Sequence, residues 1–119
     1  MAGFLFLSDD LMFGSRVSHV AQQQAVTFQH LMDPAALAQS LEMDQLQMLI
    51  LDLSSSCFCP DAVMQNVRDA GLQIKTMAFG PHVQTGKLAK AEQAGFEQVV
   101  SNGQFAGMLP QLFSDHAAE

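Results

Sequence analysis

The sequence contains no tryptophan or tyrosine, only two cysteines, and few charged side chains, which make up 14% of its 119 residues. Twelve acidic residues outnumber five basic ones, so the net charge at pH 7 is −7. Such a surface repels phosphate backbones and anionic lipid headgroups, and no binding to nucleic acids or membrane surfaces is expected. No apolar run approaches the roughly 20 residues that a membrane-spanning helix requires. Because 49% of the residues are apolar, we expect a globular domain. The expected location is the cytoplasm, since the few cysteines are predicted to be reduced.

The two cysteines, Cys57 and Cys59, form a Cys-x-Cys pair. Residues separated by one position rarely satisfy disulfide geometry, so the prediction is two reduced thiols. A metal site built on them would need further ligands nearby, and the surrounding sequence offers none. A cysteine nucleophile assisted by His82 stays open as an alternative.

Short apolar runs alternate with segments of helical spacing along the whole chain. The predicted strands cover residues 3–8, 25–30, 46–53, 72–79 and 96–100. The predicted helices cover residues 11–24, 35–43, 61–70, 85–94 and 104–113. Asp33 followed by Pro34 is typical of a helix start, and Gly71 and Gly95 are typical of helix ends.

This alternation predicts a single α/β domain over residues 1–119, with a frayed tail from residue 114. Right-handed crossovers then require a doubly wound, five-stranded parallel sheet, the (βα)5 arrangement of flavodoxin-like folds with strand order 2-1-3-4-5. Ligands of such sheets bind at the carboxyl ends of the strands, where the winding reverses between strands one and three.

Three acidic residues fall at this predicted switch point: Asp9 and Asp10 follow the first strand, and Asp52 ends the third. Each has an ordinary structural explanation, since Asp9 or Asp10 could cap the first helix and Asp52 could simply end a strand. Together, three carboxylates repel one another unless a cation lies between them, and their hard oxygen atoms suit Mg²⁺.

These residues resemble the receiver domain of bacterial response regulators (CheY-like proteins) over nearly the whole chain. The resemblance is carried by the acidic pair in LFLSDDL, by Asp52 in LILDL, by Arg68 in QNVRDAG and by the run LAKAEQAGFEQVV. It implies that Asp52 is the phosphoacceptor. The magnesium ligands that it implies are Asp9, Asp10, Asp52 and Ser54.

The sequence also departs from the receiver pattern. Receivers have a Thr or Ser at the end of strand four, where this chain has Phe79 or Gly80. They have a Lys after strand five, where this chain has Ser101 or Asn102. His82, just beyond the missing hydroxyl, is either a solvated loop residue or a replacement ligand for a metal or an anion. The resemblance is therefore to a divergent receiver, or pseudo-receiver.

The preferred function is a stand-alone signalling module that works through protein–protein contacts, with weak or absent phosphorylation and no enzyme activity. Its partner would be a kinase, an output protein or a second copy. The contact surface that the resemblance implies carries Lys87, Lys90, Gln93, Gln104, Met108 and Gln111. One alternative is a Mg²⁺-dependent phosphoacceptor that uses Asp52. Another is a small-ligand-binding or enzymatic flavodoxin-like protein, although the dinucleotide and nucleophile-elbow motifs are absent.

Overall fold

The computed structural model describes residues 2–117, and within this range five strands and five helices alternate. The strands are β1 (Gly3–Leu7), β2 (Thr27–Leu31), β3 (Leu46–Asp52), β4 (Lys75–Gly80) and β5 (Gln98–Ser101). The helices are α1 (Leu11–Gln22), α2 (Leu37–Ser40, after a 3-10 turn over Pro34–Ala36), α3 (Pro60–Asp69), α4 (Thr85–Ala94) and α5 (Asn102–Ala117).

The strands form one parallel sheet in the order β2-β1-β3-β4-β5, which confirms the predicted doubly wound fold. Helices α1 and α5 cover one face, and α2, α3 and α4 cover the other. In β1, Phe4 and Phe6 pack under α1 and α5, whereas Leu5 and Leu7 pack on the opposite side. Because both faces are covered, the inner strands β1, β3 and β4 are largely apolar, and this made them recognisable in the sequence. The edge strands β2 and β5 carry polar residues such as Gln29 and Gln98.

The second predicted helix is shorter than residues 35–43. Asp33 caps it as predicted and accepts a hydrogen bond from the Ala35 N–H at 3.0 Å, but the first turn is 3-10. The α-helix ends at Ser40 because the chain turns back toward the sheet, where Gln45 adopts a positive φ of 58°. The Gln45 carbonyl then accepts a hydrogen bond from the Gly3 N–H at 2.9 Å and aligns β3 beside β1.

The last helix is longer than predicted, since α5 continues through Pro110 to Ala117 and includes the first four residues of the predicted frayed tail. A hydrogen bond of 2.6 Å from Gln111 Nε2 to Asp115 Oδ1 joins successive turns across the predicted boundary. Residues 118 and 119 of the predicted tail lie outside the described residues. The other elements match the predictions apart from small shifts, such as β4 beginning at Lys75 and β5 at Gln98.

A close contact between α1 and β2 explains one glycine of α1. Gly14 is buried, and a Cβ atom added there would overlap the His30 ring. That ring is held by a 2.9 Å hydrogen bond from His30 Nε2 to the Ser8 carbonyl, and it lies 5.5 Å from the Phe6 ring. Gly14 therefore lets the imidazole lie between helix and sheet.

We expect Gly14→Ala to lower the free energy of unfolding by about 1–2 kcal/mol, because overpacking of the His30 ring outweighs the gain in helix propensity. Gly107→Ala is the matched control, since Gly107 lies within α5 with open space around its Cβ position. The control should be more stable than wild type by about 0.5–1 kcal/mol. Urea unfolding measures both differences. If Gly14→Ala is equally destabilising in a His30→Ala background, the overlap with His30 is not the cause.

Candidate functional site

The ends of β1, β3 and β4 bring three side chains together at the carboxyl edge of the sheet. Ser8 directly follows β1, Asp52 ends β3, and Phe79 of β4 is the register partner of Asp52. Side chains alternate between the two faces of the sheet along each strand, and these three positions fall on the face covered by α1 and α5. This is the predicted switch point, where the winding reverses between β1 and β3.

Asp52 is a buried residue, with 5% of its surface exposed, and both of its carboxylate oxygens accept hydrogen bonds. The Ser8 hydroxyl donates to Oδ2 at 2.8 Å, and the Ser54 backbone N–H donates to Oδ1 at 2.9 Å. This carboxylate is therefore hydrogen-bonded by two groups of the chain itself, the Ser8 hydroxyl and the Ser54 backbone N–H.

Burial raises the pKa of Asp52 above its ordinary value of 3.8. The hydrogen bonds from Ser54 and Ser8 lower the pKa in part, and the negative charges of Asp9 and Asp10 raise it further. No basic side chain contributes to this shift. The ionised form of Asp52 is therefore less favourable in the folded protein than in the unfolded chain.

The carboxylates of Asp9 and Asp10 both accept hydrogen bonds from nearby backbone N–H groups. Asp10 caps α1, as predicted, by accepting a hydrogen bond from the Phe13 N–H at 3.0 Å. The Asp9 carboxylate turns to the β3–α3 loop, where it accepts from the backbone N–H of Ser56 at 3.1 Å and from the Ser56 hydroxyl at 3.3 Å. Both aspartates are solvent-exposed, and they direct their carboxylates to different parts of the backbone.

The predicted magnesium ligands lie at or just after the ends of β1 and β3, at the same edge of the sheet, and the structure gives them contacts within the chain. No group of three His, Cys, Asp or Glu side chains among residues 2–115 is arranged so that it could hold a metal ion. Ser54 contributes its N–H to Asp52, and Asp10 is engaged as a helix cap. Since Mg²⁺ is usually held by only one or two carboxylates together with several waters, the predicted set stays a prediction.

Phe79 occupies the position opposite Asp52 where receivers have a hydroxyl. Its ring stacks on Phe105 of α5 with centroids 4.1 Å apart and planes 2° from parallel, and it meets the edge of Phe13 at 5.6 Å. Gly80, the other predicted candidate, lies on the opposite side of β4 against Leu53. The position beside Asp52 is thus part of an aromatic cluster.

No lysine or arginine follows β5 in the sequence, so this segment brings no such side chain to Asp52. Ser101 and Gln104 form a capping box at the start of α5: the Ser101 hydroxyl accepts from the Gln104 N–H at 3.1 Å, and the Ser101 N–H donates to Gln104 Oε1 at 2.8 Å. Asn102, the first residue of α5, is exposed. His82 is also exposed, in the turn between β4 and α4, and it does not line the cavity beside Asp52.

That cavity, here called the Asp52 cleft, has a volume of about 410 Å³ and lies between α1 and α5 at the carboxyl edge of the sheet. One wall is apolar and aromatic, and two carboxylates and several polar groups form the rest. The lining residues are Asp10, Phe13, Asp52, Ser54, Phe79, Asn102, Gly103 and Ala106. None of the five basic residues of the chain is among them.

The organising role of Ser8, and of His30 behind it, could not be predicted from the sequence. The Ser8 hydroxyl donates to Asp52 and accepts from the Asp10 N–H at 3.1 Å, while its carbonyl accepts from His30. The buried Ser55 hydroxyl likewise accepts from the Asp9 N–H at 2.9 Å. The only available signal was a run of small hydroxyl residues after β1 and β3, and such residues are common in loops.

The residues of the predicted contact surface lie on α4 and α5. Lys87 and Lys90 line a separate cleft with the β3–α3 loop, next to Phe58 and Cys59. The other members of the surface, on α4 and α5, are Gln93, Gln104, Met108 and Gln111, of which only Met108 is partly buried.

Both cysteines are free and exposed, as predicted. The Cys57 thiol donates to the Met32 carbonyl at a sulfur–oxygen distance of 3.7 Å. Loss of solvation and the negative charge of Asp9 raise the pKa of Cys57. The thiolate needed for a nucleophile is therefore disfavoured at this position.

We expect Asp52→Asn to raise the free energy of unfolding at neutral pH. Because the folded pKa of Asp52 lies above 3.8, the wild type loses stability as pH rises through that folded pKa. The variant cannot ionise, so its advantage should be complete at neutral pH and should vanish below pH 3.8, where both side chains are neutral. Urea unfolding at a series of pH values measures this difference.

Asp33→Asn is the matched control for this experiment, since Asp33 is an exposed helix cap and asparagine caps equally well. It removes one negative charge without touching the Asp52 cleft and should show no comparable gain. An Asp52→Asn variant that is less stable than wild type at neutral pH would contradict the account of Asp52.

Comparison with known proteins places this geometry in context. No family model matches the sequence, and no curated protein matches it. The BeF3-activated DrrB receiver domain is similar in structure, with a TM-score of 0.78 at 13% identity, over 100% of this chain and 99% of that chain. The chemotaxis response regulator CheY4 of Vibrio cholerae has a TM-score of 0.77 at 16% identity, over 97% and 98% of the two chains.

The beryllofluoride-activated NtrC4 receiver domain, solved as a dimer, is also similar, with a TM-score of 0.75 at 11% identity, over 98% of this chain and 99% of that one. At such identities a structural likeness establishes the fold. The chain thus has the CheY-like, flavodoxin-like fold of response-regulator receiver domains over essentially its whole length.

Proposed function

We propose that this protein is a divergent receiver-like signalling module, or pseudo-receiver, which acts through protein–protein contacts and is phosphorylated weakly or not at all. The receiver fold supports a signalling role. Fold alone does not determine activity, so the proposal rests on the Asp52 cleft.

The observation that carries the proposal is that the chain's own groups bind Asp52. Both carboxylate oxygens accept hydrogen bonds from Ser8 and Ser54, and the exposed fraction of the residue is 5%. Phosphoryl transfer to a carboxylate needs positive charge to balance the phosphoryl oxygens. The Asp52 cleft has no basic side chain among its lining residues, and it has only two carboxylates, those of Asp10 and Asp52.

The site also lacks a residue that could change conformation when a phosphoryl group binds. A bound group shifts a conformational equilibrium only if it contacts two states differently. Phe79 has no hydroxyl with which to follow a phosphoryl group, and its ring is packed against Phe6, Phe13 and Phe105. Moving that ring would disrupt the core between the sheet and α5.

A protein partner, or a second copy of the chain, suits the surface formed by β5 and α5. From Gln98 to Ser114 the sequence has no charged residue, although the net charge is −7. This uncharged stretch includes Gln104, Met108 and Gln111 of the predicted contact surface. A cytoplasmic location fits this role, and the part of the chain that the structure describes contains no helix able to cross a membrane.

A Mg²⁺-dependent phosphoacceptor is the second candidate function, and one observation favours it. Asp52 lies at the carboxyl end of the central strand, at the switch point of the sheet, where ligands of such folds bind. In that case Asp52 would be phosphorylated, and the loops around Ser8 and Asp9 would rearrange to release carboxylate oxygens for the metal.

Incubation with a small phosphodonor and Mg²⁺, followed by intact mass spectrometry, separates the two candidates. We expect no mass increase of one phosphoryl group in the wild type, because no cation of the chain offsets the charge at Asp52. Asp52→Asn is the control for labelling elsewhere. A phosphoryl group gained by most of the wild-type protein and absent from Asp52→Asn would overturn the proposed function in favour of the phosphoacceptor.

A further inference from the structure

The Asp52 cleft combines two chemical features, an apolar wall and a pair of carboxylates. Phe13, Phe79 and Ala106 form an apolar wall. Asp10 and Asp52 supply two carboxylates beside it. The volume of about 410 Å³ is at the lower end of the range for small-ligand sites, so the cleft suits one side chain or a small molecule.

The charge of the cleft is not balanced by the chain itself. The five basic residues are Arg16, Arg68, Lys75, Lys87 and Lys90, and none of them lines it. Inside a partly apolar cleft a carboxylate attracts a cation more strongly than it does in open water. A positively charged group from outside the chain would therefore be favoured here.

The lining of the cleft favours one kind of cation over another. A compact divalent ion is held by carboxylates and waters and gains nothing from an apolar wall beside them. A guanidinium or ammonium group on an apolar stem has other needs: one or two carboxylates for its head and an apolar surface for its stem. The cleft offers both, and its rim is accessible because Asp10, Asn102, Gly103 and Ala106 are exposed.

We infer that the Asp52 cleft binds the cationic side chain of an arginine or lysine from a protein partner, with the charged head toward Asp10 and Asp52 and the stem against Phe13. The partner thereby supplies in trans the positive charge that this chain lacks at the end of β5. The inference rests on the proposed function, since it takes Asp52 to be free of a phosphoryl group.

The test is a backbone-amide NMR titration with arginine whose amino and carboxyl groups are blocked, so that only the guanidinium is charged. We expect saturable shifts of the Ser54, Asn102 and Gly103 amides, with a dissociation constant of about 1 mM or weaker for an isolated side chain. Blocked citrulline has the same shape without the charge, and it should give no saturable shift. Equal binding of citrulline would overturn the inference.

Two variants distinguish the cleft from general attraction to an acidic surface. Asp10→Asn keeps a residue that can cap α1 but removes the charge, and it should weaken blocked arginine about tenfold. Asp33→Asn removes the same charge at a cap outside the cleft and should leave the affinity unchanged. Equal weakening by both variants would overturn the inference.

The source of the cation is tested with a short peptide that carries one arginine between alanines. If the ligand is a partner's side chain, the peptide should bind at least as tightly as blocked arginine. Exclusion of the peptide while blocked arginine binds would contradict a protein source. Phosphorylation of most of the protein at Asp52 in the mass experiment would refute the proposed function, whereas an absent arginine shift without such phosphorylation would refute this inference alone.

Discussion

The hydrogen bond between the Ser8 hydroxyl and the Asp52 carboxylate is the interaction on which the arrangement of the switch point depends. It joins the ends of β1 and β3 at 2.8 Å in a buried position. The same serine accepts from the Asp10 N–H at the start of α1, and its carbonyl accepts from His30 at the end of β2. Because one residue links four elements, the loops at this edge are held in one conformation.

The hydrogen bonds of Ser8 also determine the surroundings of Asp52 at the switch point. Asp52 is bound by hydroxyl and backbone donors, and the position beside it belongs to the aromatic stack of Phe79 and Phe105. Asp9 and Asp10 are engaged in holding the β3–α3 loop and α1. Under the proposed function, the fold is retained while the chemistry of the site differs, as happens when one scaffold hosts several functions.

The sequence predicted the fold well because burial on both faces makes the inner strands β1, β3 and β4 largely apolar, and helix caps such as Asp10 and Asp33 act locally. It predicted that Asp52 lies at the switch point for the same reason. The roles of Ser8 and His30 were not predictable, because each depends on a contact between residues distant in the chain. The direction of a carboxylate such as that of Asp9 is likewise fixed by a loop 47 residues away.

The proposed function requires that the acidic residues of the switch point serve the structure and do not form a metal and phosphoryl site. The most direct measurement is a backbone-amide NMR titration with Mg²⁺, followed by beryllofluoride in the presence of Mg²⁺. The account predicts no saturable shift around Asp9, Asp10 and Asp52, and no change in α4, β5 or α5 with beryllofluoride. Saturable Mg²⁺ shifts at these aspartates, followed by beryllofluoride shifts from α4 to α5, would contradict it.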